Sequence, residues 1–277
     1  MEVHNNVIGI NNNLSSEFSR MDTKVHSVNK DLERVAHGLK ELNRQKDAFI
    51  SIAAHELKTP ITSIQGFAQL LQDEKLLADI EKSMHYVNLI NKNTERLYHL
   101  IRNLIDSFKI LNNALVLNIV DTNLNDILEE IKESTKNDLK DKDLTADFYI
   151  QENLPIVRTD HEKIIRILKN LISNSIKFTD SGIISLRIIR DGNFVRFEVK
   201  DTGQGIPQES HEFIFSNFYQ VDTSMARKVG GVGLGLFICK GLVESLNGKI
   251  WFDSKLGKGS VFYFTIPIEN EKINKKE

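Results

Sequence analysis

Apolar residues recur along the first part of the chain at alternating steps of four and three. Val28, Leu32, Val35, Leu39 and Leu42 open the series, which passes through Lys46 to Phe49 and Ala53. This is a heptad seam, surrounded by charged residues and free of proline until Pro60. It predicts one long helix over about residues 28–72. Pro60 lacks an N–H, so the Glu56 carbonyl loses its helical partner and the helix is expected to bend there. Gly38 lies inside and costs only about 1 kcal/mol against alanine. Residues 73–79 break the pattern and read as a loop. A second helix, about residues 80–111, keeps the seven-residue repeat through Ile80, Met84, Val87, Thr94, Ile101, Ile105 and Phe108, while Ile90, Leu97 and Leu104 widen the stripe. Two helices joined by a short loop form an antiparallel hairpin, and a stripe that wide needs more than one neighbour. A second copy of the chain would close a four-helix bundle, so the pattern predicts a homodimer.

Beyond Asn112-Asn113 the periods alternate. A short strand at residues 115–119 marks the boundary. Thr122 or Asn123 caps a helix containing Leu124, Ile127, Leu128 and Ile131, and residues 146–151 read as a strand. Asp160 begins a helix with Ile164, Ile167, Leu168, Leu171 and Ile172 on one side. Residues 183–190 and 194–200 form a hairpin around Asp191-Gly192-Asn193. Residues 211–218 read as a short helix, 219–230 as irregular, 233–246 as a helix ended by Asn247-Gly248, and 249–253 and 260–268 as two last strands. The expected fold is an all-α helical hairpin, dimerised into a four-helix bundle, followed by an α+β sandwich built of antiparallel hairpins with helices on one face. The expected domains are a polar, Asn-rich arm at residues 1–27, a helical region at 28–112, the sandwich at 113–268 and a charged, frayed tail at 269–277.

Composition narrows the classes. A chain of 277 residues suggests about two domains, and a hydrophobic fraction of 40% suffices for real cores. Lys+Arg 36 against Asp+Glu 38 leaves a formal charge of -2, so no global basic field argues for nucleic acid. The single cysteine, Cys239, excludes an internal disulfide, fits a reducing compartment and reads as helix core. No stretch approaches the length of a membrane span and the start lacks a basic-then-apolar signal, so a soluble, cytoplasmic chain without a membrane segment is expected.

Candidate chemistry sits in two places. Ser51 to Pro60 gathers His55, Glu56, Lys58 and Thr59 just before the proline. His55 and Thr59 are four apart and share a helical face. His55 lies two residues past Ala53, about 200° around the helix, so it should point away from the packed seam. The second place is glycine-rich: ten of the 15 glycines follow Lys200. They cluster around Gly203 and Gly205, around Gly231, Gly233 and Gly235, and at Gly257 and Gly259. Such loops bring backbone N–H groups to anionic oxygens, and the second cluster opens into an apolar helix whose dipole favours phosphate. The pattern is neither a P-loop nor a dinucleotide-binding turn. Asp201, a carboxylate at a strand end, would repel phosphate and suits an amine donor such as that of adenine. Asn170, Asn174 and Lys177 share one helical face, where amide oxygens can ligate Mg2+ and the lysine can meet a phosphate.

Taken together and in order, these segments resemble the two-component sensor histidine kinases. His55-Glu-Leu-Lys-Thr-Pro60 resembles the H box, Asn170 to Lys177 the N box, and Asp201-Thr-Gly-Gln-Gly205 a first glycine box. Residues 215–219 resemble the F box, and Gly231-Val-Gly-Leu-Gly235 and Gly257-Lys-Gly259 the later glycine boxes. The likeness covers about residues 45–268. It implies a HisKA dimerisation and phosphotransfer domain followed by an ATP-binding HATPase_c domain of the Bergerat (GHKL) fold. It implies that His55 takes the γ-phosphate of ATP, Glu56 activates the imidazole, and Thr59 helps orient water when such kinases dephosphorylate their partner. Asn174 matches the Mg2+ ligand, Asp201 the adenine contact, and residues 219–230 the ATP lid. The implied partner is the receiver domain of a response regulator, which takes the phosphoryl group on an aspartate. Val232 and Ser175 depart from the usual Thr and Ala without removing a needed group. The alternatives are a GHKL-type ATPase or ATP-binding scaffold without histidine phosphorylation, and a coiled-coil interaction protein with a dead nucleotide site.

Overall fold

The computed structural model describes residues 21, 24, 26, 30, 32–36, 38, 40, 50–73, 76, 79–140, 142–217, 219–221 and 233–268. The chain falls into two units, residues 1–54 and 55–277. In the smaller unit, residues 32–36 and 50–54 are helical, inside the stretch where the seam predicts helix. Leu32 and Val35 of that seam are exposed and Ala53 is buried. Val28, Leu39, Leu42, Lys46 and Phe49 lie outside the described residues, as do the tail 269–277 and residues 222–230 of the expected lid.

The larger unit opens with helix α1, residues 55–70, which continues through a buried Pro60. Helix α2 is Ile80–Leu111. Asp79 caps it by accepting a hydrogen bond from the Lys82 N–H, which ends the loop where the sequence placed it. Phe67 stacks on Tyr86 with ring centroids 5.7 Å apart, and Glu56 meets Arg96, so α1 and α2 run antiparallel. The heptad positions Ile80, Met84, Ile101, Ile105 and Phe108 remain exposed on the single chain.

The strand expected at 115–119 is irregular; the strand is β1, Val120–Thr122, and it pairs antiparallel with β3, Val157–Thr159, which the sequence pattern did not mark. Three residues are too few to show a period. Between them, Asn123 caps helix α3, Leu124–Asp138, and β2 is Asp143–Ile150. Asp160 caps helix α4, His161–Lys177, by accepting from the Lys163 N–H, and its other oxygen accepts from the Asn118 N–H. One carboxylate thus fixes the helix start and the segment leading into β1.

A five-stranded sheet follows the order β2-β4-β5-β7-β6, with β4 at Ser181–Asp191, β5 at Phe194–Asp201, β6 at Lys249–Lys255 and β7 at Gly259–Pro267. The β4–β5 hairpin turns on Gly192-Asn193, where Gly192 takes φ 61. The sheet is not all antiparallel: β2 lies parallel to β4. Helix α5, Gly235–Ser245, packs with α3 and α4 on one side of the sheet. The core between them is Leu168, Leu171, Ile188, Val195, Ile238 and the stacked pair Phe197–Phe264, whose centroids are 4.4 Å apart. Residues 211–217 form turns rather than the expected helix, after one 3-10 turn at Gln208–Ser210. No described helix is long and apolar enough to cross a membrane.

Cys239 is fully buried in this core, and burial pushes its thiol up to about 12. A thiol that is neither exposed nor ionised is a poor nucleophile. Native protein is therefore expected to resist alkylation by iodoacetamide at pH 8, and denatured protein to take up one equivalent; labelling of native protein, read by mass spectrometry, would contradict this packing.

Candidate functional site

The H-box segment forms the first turns of α1. The His55 side chain is 79% exposed, as its position around the helix predicted. Its Nδ1 lies 3.7 Å from Glu56 Oε1. The other Glu56 oxygen is 3.5 Å from Arg96 Nη2 on α2, an ion-pair approach without a hydrogen bond. The half-buried carboxylate is therefore shared between an imidazole and a guanidinium. The Thr59 hydroxyl donates to the His55 carbonyl at 3.2 Å, which ties the two residues to one face. With Nδ1 turned to the carboxylate, Nε2 is the ring nitrogen left for an incoming group.

A cavity of about 320 Å³ opens elsewhere in the larger unit, lined by Asn170, Asn174, Lys177, Asp201, Gly205 and Gly235 among others. Gly233 also lines it. Gly203 is not among its lining residues, and Gly231 lies outside the described residues. Helix α4 buries its apolar side in the core and turns Asn170, Asn174 and Lys177 to the cavity. Asn170 sits beside the Cys239 thiol, yet its buried Nδ2 has no hydrogen-bond partner. Asn170 also lines the cavity, so an unpartnered amide group borders the space a polar ligand would fill. Burial lowers the Lys177 pKa, the nearby Arg96 lowers it further, and Glu56 opposes both.

Asp201 ends β5 and is buried. Burial raises its pKa, against the hydrogen bonds it accepts from Gly203 N–H at 2.9 Å, Ser260 N–H at 3.1 Å and the Ser175 hydroxyl at 3.4 Å. The two backbone donors converge on Oδ1. Oδ2 keeps only the long Ser175 contact, so it has capacity for a ligand donor. Ser175, where the resemblance led one to expect alanine, thus orients this carboxylate.

The glycines have a more local reason than the sequence suggested. A Cβ on Gly203 would lie 2.3 Å from the Phe178 carbonyl oxygen, and one on Gly205, at φ 69, would lie 2.2 Å from that of Lys255. Glycine lets the loop seat between the end of α4 and the β6–β7 turn, which holds Asp201 in place. Gly235 opens α5 beside Asn174, so the N-terminal turn of that helix borders the cavity.

Four polar residues near the cavity were not singled out from sequence. Arg96, Asn103 and Asp106 of α2 face Arg166 and Lys177 of α4, so the two helices run antiparallel. Arg166 Nη2 donates to Asn103 Oδ1 at 3.0 Å, and Arg166 also ion-pairs with Asp106, both side chains being largely buried. Burial lowers the Arg166 pKa to about 10. A signal was present: Arg166 stands one turn before Asn170 on the same helical face.

Residues 159–270 match the family model described as histidine kinase-, DNA gyrase B-, and HSP90-like ATPase, and residues 45–113 that of the His Kinase A (phospho-acceptor) domain. Over 256 residues the chain is 33% identical to the sensor histidine kinase YclK of Bacillus subtilis (strain 168), covering 92% of this chain and 52% of YclK. The chain thus spans about half the length of that curated relative. Among solved structures, full-length ShkA in complex with AMPPNP is similar at TM-score 0.62 and 26% identity, over 81% of this chain and 46% of that one. The histidine kinase ThkA in complex with the response regulator protein TrrA is similar at TM-score 0.57 and 29% identity, over 79% and 60%.

Proposed function

Because this chain belongs to the two-component sensor histidine kinases, we propose that it phosphorylates its own His55 from Mg-ATP and passes the phosphoryl group to an aspartate of a response regulator. Nε2 of His55 attacks the γ-phosphorus, the bond to the β,γ-bridging oxygen breaks, and ADP leaves. The carboxylate of Glu56 takes the Nδ1 proton and offsets the charge on the ring. Asp201 receives the adenine amine through Oδ2. Asn170, Asn174, Lys177 and the amides at the start of α5 face the polyphosphate. Asn174 offers an amide oxygen for Mg2+, an ion that would neutralise charge on the phosphates. Thr59, one turn from His55, serves dephosphorylation of the partner by orienting a water that attacks its aspartyl phosphate and releases inorganic phosphate.

The observation that carries this reading is Glu56: one carboxylate lies 3.7 Å from the exposed imidazole and 3.5 Å from Arg96 of α2, the helix whose Leu100 and Asn103 line the cavity. AMPPNP in ShkA and TrrA bound to ThkA support the nucleotide and the partner class. The exposed heptad face of α2 supports a homodimer, since a second copy would cover it. Asn112-Asn113, after α2, is the hinge we assign to the nucleotide module.

Incubation with γ-labelled ATP is expected to give acid-labile, alkali-stable label on the wild-type chain and none on His55→Gln. Label that persists in His55→Gln would move the acceptor elsewhere, and hydrolysis of ATP without labelling would favour a GHKL-type ATPase.

A further inference from the structure

The cavity is not built from the nucleotide module alone. Leu100 and Asn103 of α2 line it beside Asn170, Asn174 and Asp201. Leu100 is buried, and Asn103 follows it by one turn on the side that faces α4. Asn103 is also held in a defined orientation. Its Oδ1 accepts from Arg166 Nη2 at 3.0 Å, and Arg166 is anchored by the ion pair with Asp106, one turn further along α2. A planar amide that gives its oxygen to Arg166 presents its Nδ2 donors on the opposite side. The far end of α2 packs tightly as well: a Cβ on Gly241 of α5 would lie 2.5 Å from the Ile110 side chain.

We propose that Asn103 is a nucleotide-binding residue contributed by the phospho-acceptor hairpin, donating from Nδ2 to a ribose or phosphate oxygen, with Asp106 and Arg166 as its positioning residues. The proposal rests on the reading of the cavity as the ATP site. Nucleotide binding and docking of the hairpin then support each other, because the donor is in reach only while α2 lies along α4. The hairpin acts as one wall of the site, and Leu100 supplies its apolar part.

The test is titration of the full chain with AMPPNP by calorimetry, with thermal denaturation to confirm folding. Asn103→Asp keeps an acceptor for Arg166 but turns a carboxylate toward the nucleotide; it is expected to raise Kd by about tenfold or more. Asn103→Ala is expected to raise Kd by about fivefold. Asp106→Asn is expected to weaken binding in the wild-type background and to have no further effect in Asn103→Ala, a non-additivity that a merely structural ion pair would not give. Kd values within about twofold of wild type for both Asn103 variants would overturn the inference while leaving the ATP site standing. Failure of the wild-type chain to bind AMPPNP, or unchanged binding in Asn174→Ala, would overturn the underlying reading instead.

Discussion

Replacing Glu56 with glutamine is expected to slow phosphohistidine formation by about 10²–10⁴-fold without weakening nucleotide binding. Glutamine keeps the shape of the side chain but cannot take the Nδ1 proton, so the charge that develops on the imidazole is left uncompensated. The second half of the prediction follows from the other neighbours of Glu56. Its carboxylate lies 3.5 Å from Arg96 and partly offsets the burial-driven lowering of the Lys177 pKa, so it acts on two cations near the cavity. Without it, both cations face an anionic ligand more fully, and affinity for ATP should hold or tighten. The measurement is a pair: initial rates of label incorporation, and Kd for AMPPNP. A variant whose rate falls only in proportion to a raised Kd would assign Glu56 to binding rather than to proton transfer.

Asp201→Asn is expected to lower ATP affinity by about tenfold to a hundredfold while leaving the fold as stable as before, or more so. The two backbone donors on Oδ1 fix the amide oxygen there, so the Nδ2 group takes the place of Oδ2. An acceptor becomes a donor, and the adenine amine then meets a second donor. A purine with a carbonyl at that position should lose far less, so the ratio of ITP to ATP affinity should rise. The stability half comes from linkage. Burial holds the Asp201 pKa above its ordinary 3.8, so the folded chain binds the proton more tightly than the unfolded one. Stability therefore falls as pH rises from about that value through the folded pKa, and at neutral pH the cost is fully present. A neutral amide removes it. A lower Tm for Asp201→Asn at pH 7, or an unchanged ITP-to-ATP ratio, would show that the carboxylate serves the fold and not the base.

Much of this was legible in the sequence because it depended on local patterns. Asn123 and Asp160 announced their helices as capping residues, and Ile164, Ile167, Leu168, Leu171 and Ile172 gave the buried side of α4 by spacing alone. The exposure of His55 followed from its angle to Ala53. What escaped depended on partners distant along the chain. Strands β1 and β3 are three residues each, and only their pairing defines them. Residues 211–217 carry apolar residues at helix-like steps, but Phe215 is drawn against Phe252 and Phe262 of the sheet, and turns suffice to deliver it. Asn103 and Arg166 are 63 positions apart, on two helices whose alignment no periodicity reports. The glycine clusters stood out in the sequence, yet Gly203 and Gly205 answer first to neighbouring carbonyl oxygens.

The parallel pairing of β2 with β4 has a consequence for how the molecule is made. Asp143 pairs with Ser181, 38 positions later, and α4 with its asparagines lies within the intervening crossover. The β4–β5 hairpin can close on its own two-residue turn within microseconds, whereas β2 has nothing to join until that ribbon exists. On the ribosome, β2 must therefore wait through the synthesis of α4 and β4. The ligand-facing helix is locked under the sheet only when this late edge is zipped.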